Sequence, residues 1–128
     1  MVRKAIHTSQ APAAIGPYSQ AIVANGFIFS AGQLPLDPAT MKLIDGDFKQ
    51  RVERVMYNLN AVLSATNSDL SKVVKFTVFL TDLANFGIVN EVFSTCFKDM
   101  DPPARSAVQV AALPLGADVE IECIATVE

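Results

Sequence analysis

The chain has 128 residues, the size of a single domain, and 51% of them are hydrophobic against 18% charged. Its formal net charge of −3, with no long run of basic residues, argues against binding to nucleic acid, whose phosphates attract basic surfaces. No stretch reaches the ~20 apolar residues of a membrane span, and two separated cysteines do not make a secreted disulfide framework. We therefore predict one domain over residues 1–128 in a reducing compartment, the cytoplasm or alternatively the mitochondrial matrix.

The first third of the chain is predicted to form strands and loops. The strands cover residues 3–8, 19–24 and 27–33, and the loops cover residues 11–17 and 34–46, where prolines occur. The second and third strands are joined by Asn25 and Gly26, a pair that tolerates the positive φ angles of a tight turn. This dipeptide predicts a β-hairpin.

A long amphipathic helix follows. Asp47 and Gln50 have the spacing of a capping box, which places the helix start at Phe48. Asn67 and Ser68 end the helix. Its apolar residues recur at the spacing of one helical stripe: Phe48, Val52, Val55, Met56, Leu59, Val62 and Leu63. A stripe this wide predicts that the helix packs against a sheet.

The second half of the chain alternates strands with a second helix. Residues 73–80 are rich in β-branched and aromatic residues and nearly apolar on both faces, which predicts a central strand. A helix over residues 83–98 begins at the N-cap Asp82. Its predicted buried stripe contains Phe86, Val89, Phe93 and Phe97. Prolines 102 and 103 stop this helix, and two more strands follow, separated by a turn over residues 114–116.

The resulting order, β-β-β-α-β-α-β-β, predicts an α+β domain with a mixed sheet and both helices on one face. The strands carry apolar side chains on both sides. We therefore expect other subunits to cover the second face, most economically in a closed ring of copies.

The last two strands carry the charges that most need an explanation. Alternation puts Arg105, Ala107 and Gln109 on one face of the first strand, and puts Glu120 and Glu122 together on one face of the second. A charge in such apolar strands is costly to bury unless it is paired or has a function. From the pattern alone, a structural Arg–Glu pair at a sheet edge or a subunit contact is favoured over an active site.

The usual motifs of nucleotide, metal and thiol chemistry are missing from the sequence. There is no phosphate-binding glycine loop, and His7 is the sole histidine, so neither a metal cluster nor a Ser-His-Asp triad is indicated. Cys96 and Cys123 are both interpreted as core residues. The remaining candidates are Tyr18, Asn90, Arg105 and Glu120, with Gln33 after Gly32 as a turn-supporting amide; each is weak by itself.

Four segments together resemble the Rid family, the YjgF-like reactive intermediate deaminases. The segments are APAAIGPYSQA (residues 11–21), FSAGQLPLDP (29–38), VVKFTVFLTDLANFGIVNEVF (73–93) and PPARSAVQVAALPLGADVEIECIA (102–125). The resemblance implies a chorismate-mutase-like fold and a homotrimer with a barrel core and ligand sites between subunits. It also implies hydrolysis of 2-imino acids to 2-oxo acids and ammonia without a metal or cofactor, which protects pyridoxal-phosphate enzymes.

The resemblance assigns roles to individual positions. By position, Arg105 resembles the arginine that binds the substrate carboxylate, and Glu120 resembles the glutamate near the attacking water. Tyr18 and Asn90 match residues that line the cleft. Gly32 and Gln33 match the turn beside the cleft. Ala107 and Ala31 depart from the family, which often has cysteine and serine at these two places. Ala31 lacks the hydroxyl that a serine would supply, and this loss is expected to affect substrate preference or rate.

Some members of the same family are described as translation-inhibiting endoribonucleases or as chaperone-like proteins, and both functions are alternatives here. A metabolite-binding regulator that uses the Arg105 cleft without turnover is a third alternative. The acidic charge balance argues against the first of them.

Overall fold

The computed structural model describes residues 2–127 and contains two helices and eight strands in that range. The helices are α1 (Phe48–Ser64) and α2 (Phe86–Cys96). The strands are β1 (Lys4–Ile6), β2 (Ala21–Ala24), β3 (Phe27–Ser30), β4 (Leu36–Asp37), β5 (Lys42–Leu43), β6 (Val73–Leu80), β7 (Ala104–Gln109) and β8 (Val119–Thr126). None of the helices in this part of the chain has the length and hydropathy to cross a bilayer.

Six of the strands form one mixed sheet in the order β1-β2-β3-β8-β6-β7. All neighbours are antiparallel except β6 and β7, which run parallel. The predicted α+β class is therefore confirmed. The apolar strand β6 lies between β8 and β7 as expected, whereas β7, which carries Arg105, is an edge strand.

The local signals of the first half predicted the structure well. Asn25 and Gly26 adopt positive φ angles of 55° and 83° between β2 and β3, as the hairpin requires. The Asp47 side chain accepts a hydrogen bond from the Gln50 backbone, and the Gln50 side chain accepts one from the Asp47 backbone, so the capping box is present.

Both helices pack on one face of the sheet, where a single apolar core forms. Phe76 of β6 is fully buried there, and its ring centre lies 5.0 Å from that of Phe93 and 5.8 Å from that of Phe97. Val119, Ile121, Cys123 and Ala125 of β8 face the same core, as the alternation predicted.

Within residues 2–127, no element covers the opposite face of the sheet, and apolar side chains on this face are exposed to solvent. Phe29 of β3 is 44% exposed and Val108 of β7 is 43% exposed, and Phe79 and Ile124 lie between them in the sheet. Exposed apolar area of this extent is uncommon on a monomer. Coverage by further copies remains a prediction.

Several expectations were wrong in detail. The predicted loop 34–46 contains the short hairpin β4–β5, whose turn places Met41 at a φ of 59°. Strands of two residues are too short to show a period, and prolines mask them. The second helix begins with a 3-10 turn, Leu83–Asn85, and α2 itself starts at Phe86 and ends at Cys96.

Two side chains of α2 also differ from prediction. Cys96 is exposed rather than in the core, because it precedes Phe97 and points about 100° away from the buried stripe. Phe86 is 37% exposed, while Val92 takes a buried place that was not predicted.

Candidate functional site

Arg105 lies on β7 with its guanidinium held by α2. Its Nη2 donates a 2.6 Å hydrogen bond to Oδ1 of Asn90, and its Cζ lies 5.1 Å from the ring centre of Phe86 and 5.0 Å from that of Phe93. Partial burial lowers the pKa of the Arg105 guanidinium, but the ordinary pKa of an arginine is so high that the group keeps its charge at neutral pH. One amide and two rings therefore orient a cation whose other donors remain available.

An open cavity of about 550 Å³ adjoins this guanidinium. Its lining consists of Arg105, Asn90, Phe93, Ser94, Phe97 and the two prolines 102 and 103. Apolar walls with one convergent cation are typical of a site for a small anion that has an apolar part. We call Arg105, Asn90, Phe86 and Phe93 the arginine half-site.

Glu120 lies on β8 directly against the backbone of Gly32. A Cβ atom on Gly32 would lie 2.6 Å from Glu120 Oε2, so only glycine leaves room for the carboxylate here. The adjacent Gln33 exchanges both backbone hydrogen bonds with Ile121, at 2.8 and 3.1 Å. These bonds hold the turn and the glutamate strand together.

Tyr18 stands on the other side of this turn. Tyr18 is about half exposed, and its hydroxyl accepts a 3.2 Å hydrogen bond from the Ile15 backbone. A narrow cleft brings Tyr18, Gly32 and Gln33 together. We call Glu120, Gly32, Gln33 and Tyr18 the glutamate half-site.

The Glu120 carboxyl is electrostatically unusual. Its partial burial raises the pKa above the ordinary 4.5, and the negative charge of the nearby Glu122 raises it further. A carboxyl in this state takes up a proton more readily than an exposed glutamate does. That property suits a group that exchanges protons with water or with a substrate nitrogen.

The two half-sites lie on opposite faces of the sheet in one chain. Arg105 is paired with Phe76 of β6, and Glu120 is paired with Phe79 of the same strand. Residues three apart in a strand point to opposite faces, and Phe76 points to the helices. Arg105 therefore faces the helices and Glu120 the uncovered side, so a single chain does not bring them into one cleft.

The sequence-predicted residues thus fall into two groups. Asn90 contacts Arg105, and Ala107, paired with Val78, shares the helix side of β7 with it. Gly32, Gln33 and Tyr18 belong with Glu120 instead. The ion pairs found within residues 2–127 join Lys49 to Glu91 and Arg51 to Asp118, so a structural Arg105–Glu pair within that part of the chain is not observed.

The two rings beside Arg105 were missed as site residues. Phe86 was assigned only to the buried stripe, although Phe86, Asn90 and Phe93 have the i, i+4, i+7 spacing of one helix face. This spacing shows from the sequence alone that both rings lie on the same helix face as Asn90.

The described part of the chain contains two cysteine thiols, both with raised pKa values. Burial raises the pKa of Cys123 to about 11, and the pKa of Cys96 is raised by partial burial as well, so neither is a thiolate at neutral pH. Among residues 2–127, no three His, Cys, Asp or Glu side chains are grouped so as to hold a metal ion.

Comparison with known proteins gives whole-length matches. The family model described as Endoribonuclease L-PSP matches residues 8–127. Protein DfrA of Myxococcus xanthus is 57% identical over 127 residues, covering 98% of this chain and 96% of DfrA. A Mus musculus protein named 2-iminobutanoate/2-iminopropanoate deaminase is 47% identical over 125 residues, covering 98% and 92%. The crystal structure of the Rid-family protein YyfA from Yersinia pestis has a TM-score of 0.95 at 44% identity, covering 98% and 100%.

Proposed function

Since the chain belongs to the Rid (YjgF-like) family, whose model is described as Endoribonuclease L-PSP, we propose that it hydrolyses 2-imino acids to 2-oxo acids and ammonia. The name of the mouse relative supports this substrate class. The observation that carries the proposal is the oriented guanidinium of Arg105 in an open, partly apolar cavity. Such a group is suited to bind a small carboxylate.

Arg105 holds the substrate by its carboxylate in this proposal. Asn90 occupies one guanidinium nitrogen, and the remaining N–H groups have the planar geometry that donates two parallel hydrogen bonds to a carboxylate. The rings of Phe86 and Phe93 limit the directions that the guanidinium takes. The side chain of 2-iminopropanoate or 2-iminobutanoate is small and apolar, in keeping with the cavity walls.

Glu120 activates the attacking water in the same proposal. Its carboxylate takes a proton from water as the water oxygen bonds to the carbon of the protonated imine (C=NH2+), whose nitrogen becomes the neutral amine of a carbinolamine. Glu120 returns this proton to the amine nitrogen, and the C–N bond breaks with its electron pair leaving on ammonia. The hydroxyl proton passes back to the Glu120 carboxylate as the C=O bond of the 2-oxo acid forms. Tyr18 lines the cleft, and the reaction as written needs no metal or cofactor. Positioning and proton transfer supply the rate increase over spontaneous hydrolysis.

A complete site in this proposal needs two copies of the chain. The arginine and glutamate half-sites lie on opposite faces of one sheet, and the face of Glu120 is the uncovered apolar one. We propose a homotrimer of the chorismate-mutase-like type, in which the uncovered faces form a barrel and neighbouring copies complete each cleft. In this proposal, the hydrolysis of 2-imino acids protects pyridoxal-phosphate enzymes in the cytoplasm or the mitochondrial matrix.

The direct test is kinetic. 2-Iminopropanoate and 2-iminobutanoate are generated in situ, and semicarbazone formation competes with hydrolysis. Wild-type protein is expected to lower the yield of semicarbazone further as its concentration rises and, in parallel reactions without semicarbazide, to speed the release of ammonia. A rate equal to the spontaneous one for both imines would reject the deaminase function.

The name of the family model makes RNA cleavage the main competing activity. The net charge of −3 does not favour RNA binding, which depends on neutralising phosphates. RNA affinity that falls steeply with salt would support this alternative. Saturable binding of 2-oxo acids without faster imine hydrolysis would instead indicate a metabolite-binding protein.

Replacing Gly32 by alanine is expected to lower kcat/KM about 10- to 100-fold while the protein stays folded. The added methyl group overlaps the Glu120 carboxylate and must push it from its place. The measurement is imine hydrolysis together with the thermal midpoint of unfolding. Gly87→Ala on α2 is the matched control, because a Cβ there meets nothing within 4 Å. Equal activity of the two variants would show that the Glu120 position is unimportant.

The activity should depend on pH through Glu120. Its carboxylate is the active form, so kcat/KM rises as the proton leaves, with a midpoint above 4.5 because the pKa of Glu120 is raised. Glu122→Gln removes a negative charge that raises this pKa, and the midpoint is expected to move to lower pH. Rates are measured after subtraction of spontaneous hydrolysis. An identical midpoint in both proteins would argue against Glu120 as the base.

A further inference from the structure

Asn58 is a polar side chain in the middle of α1 with no exposed surface at all. Its neighbours along the stripe, Val55, Leu59 and Val62, are fully buried apolar residues. The two N–H bonds of its amide donate to the backbone oxygens of Leu34, at 3.1 Å, and of Leu36, at 3.0 Å. An amide in such a place is stable only through these bonds.

The carbonyl oxygen of the Asn58 amide shows that burial alone does not explain why an asparagine occupies this position. Oδ1 of Asn58 is buried and has no hydrogen-bond partner among residues 2–127. An unpaired buried acceptor lowers stability, whereas an apolar residue of similar shape would fill the space without that penalty. The two donated bonds are therefore the feature that requires an asparagine here.

Those bonds end on the segment 31–36, which continues directly into the glutamate half-site. Gln33 pairs with Ile121 on one side, and Gly32 lies so close to Glu120 that a Cβ atom on it would overlap the carboxylate. The segment is thus fastened to β8 through Gln33 and to α1 through Asn58. Gly32 lies between the strand that carries Glu120 and the anchor on the helix.

We propose that Asn58 is a positioning residue for Glu120. Its amide fixes residues 34–36 to α1. This anchor keeps Gly32 against the Glu120 carboxylate, which takes a proton from water in the proposed reaction. This rests on the proposed deaminase function and deepens it. Asn58 contacts neither the substrate cavity at Arg105 nor Glu120 itself, so its effect is on the geometry of the turn.

The kinetic test compares Asn58→Leu with a matched variant on the same helix. Asn60→Leu also removes a side-chain amide that holds a loop, since Oδ1 of Asn60 accepts a hydrogen bond from the Leu70 backbone, but that loop is not part of either half-site. Asn58→Leu is expected to lower kcat about 100-fold with KM nearly unchanged, because the arginine half-site stays intact. Asn60→Leu is expected to keep kcat within about twofold. Equal losses in both would overturn the proposal.

A second measurement does not depend on activity. Hydrogen exchange at the backbone N–H groups of Gln33 and Ile121, which bond to each other's carbonyls, reports how firmly the turn is held. Asn58→Leu is expected to speed their exchange at least tenfold over wild type, and Asn60→Leu to leave it unchanged. Unchanged exchange in the Asn58 variant would overturn the positioning role.

The two measurements separate this role from the deaminase function. If the wild type fails to accelerate imine hydrolysis, the deaminase function fails, and exchange at Gln33 still decides whether Asn58 holds the turn. Should Asn58→Leu not fold, Asn58→Ser, which keeps one short donor, is measured in the same way. Faster exchange at Gln33 in Asn58→Ser supports the proposal, and wild-type exchange overturns it.

Discussion

Replacing Arg105 by lysine is expected to lower kcat/KM for 2-iminopropanoate about 100-fold. Lysine keeps the positive charge but loses the planar pair of donors that matches a carboxylate. It also loses the stacking on Phe86 and Phe93 that orients the guanidinium. A hydrogen bond to a charged group contributes about 1.5–3 kcal/mol, which corresponds to roughly 10- to 100-fold for each bond lost. Competition with semicarbazide measures the change.

The matched control is Arg54→Lys. Its guanidinium lies 5.0 Å from the ring centre of Tyr57 on the outer side of α1, so the variant loses an arginine–aromatic contact away from both half-sites. We expect its kcat/KM to equal that of the wild type. Activity of Arg105→Lys within a few-fold of the wild type would show that charge alone binds the substrate and that the fork geometry is not needed.

The parts of the fold that sequence predicted are those decided by near neighbours. The turn at Asn25-Gly26 and the capping box of Asp47 and Gln50 depend on residues within four positions of each other. The α1 stripe is likewise a local period. Short-range physical rules are sufficient for these elements because no distant partner changes which backbone conformation is favoured.

The arrangement of the site is not local, and sequence left it open. Alternation placed Arg105 and Glu120 on definite faces of their own strands, but the relation between those faces depends on the register of each strand against β6. The contact of Gly32 with Glu120 and the bonds of Asn58 also join residues more than 20 positions apart. Strand register and contacts between distant segments decide these three features. A local period in the sequence carries no information about them.

Mixing two inactive variants is expected to restore activity. Arg105→Ala destroys the arginine half-site and Glu120→Gln the proton-accepting group, and each protein alone should be nearly inactive. The two half-sites lie on opposite faces of one sheet, so in the proposed assembly a complete cleft takes Arg105 from one copy and Glu120 from a neighbour. Random co-assembly of equal amounts in a closed ring makes about one quarter of the clefts complete. Co-expression in equal amounts, with one tag common to both variants so that pure and mixed rings are recovered together, is followed by imine hydrolysis to measure the recovered activity.

The control tests whether one copy supplies both groups. Wild type is co-expressed with the double variant that carries both changes. Clefts shared between copies leave about one quarter of them complete, whereas clefts built within one copy leave about one half. Recovery near one quarter in both mixtures requires that neighbouring copies contribute Arg105 and Glu120 separately. A mixture of the single variants that stays inactive, together with half activity in the control, would place both groups of a working site in the same copy. Since the sheet separates the two side chains within each chain, that result would require strand β7 or β8 to change its register on assembly.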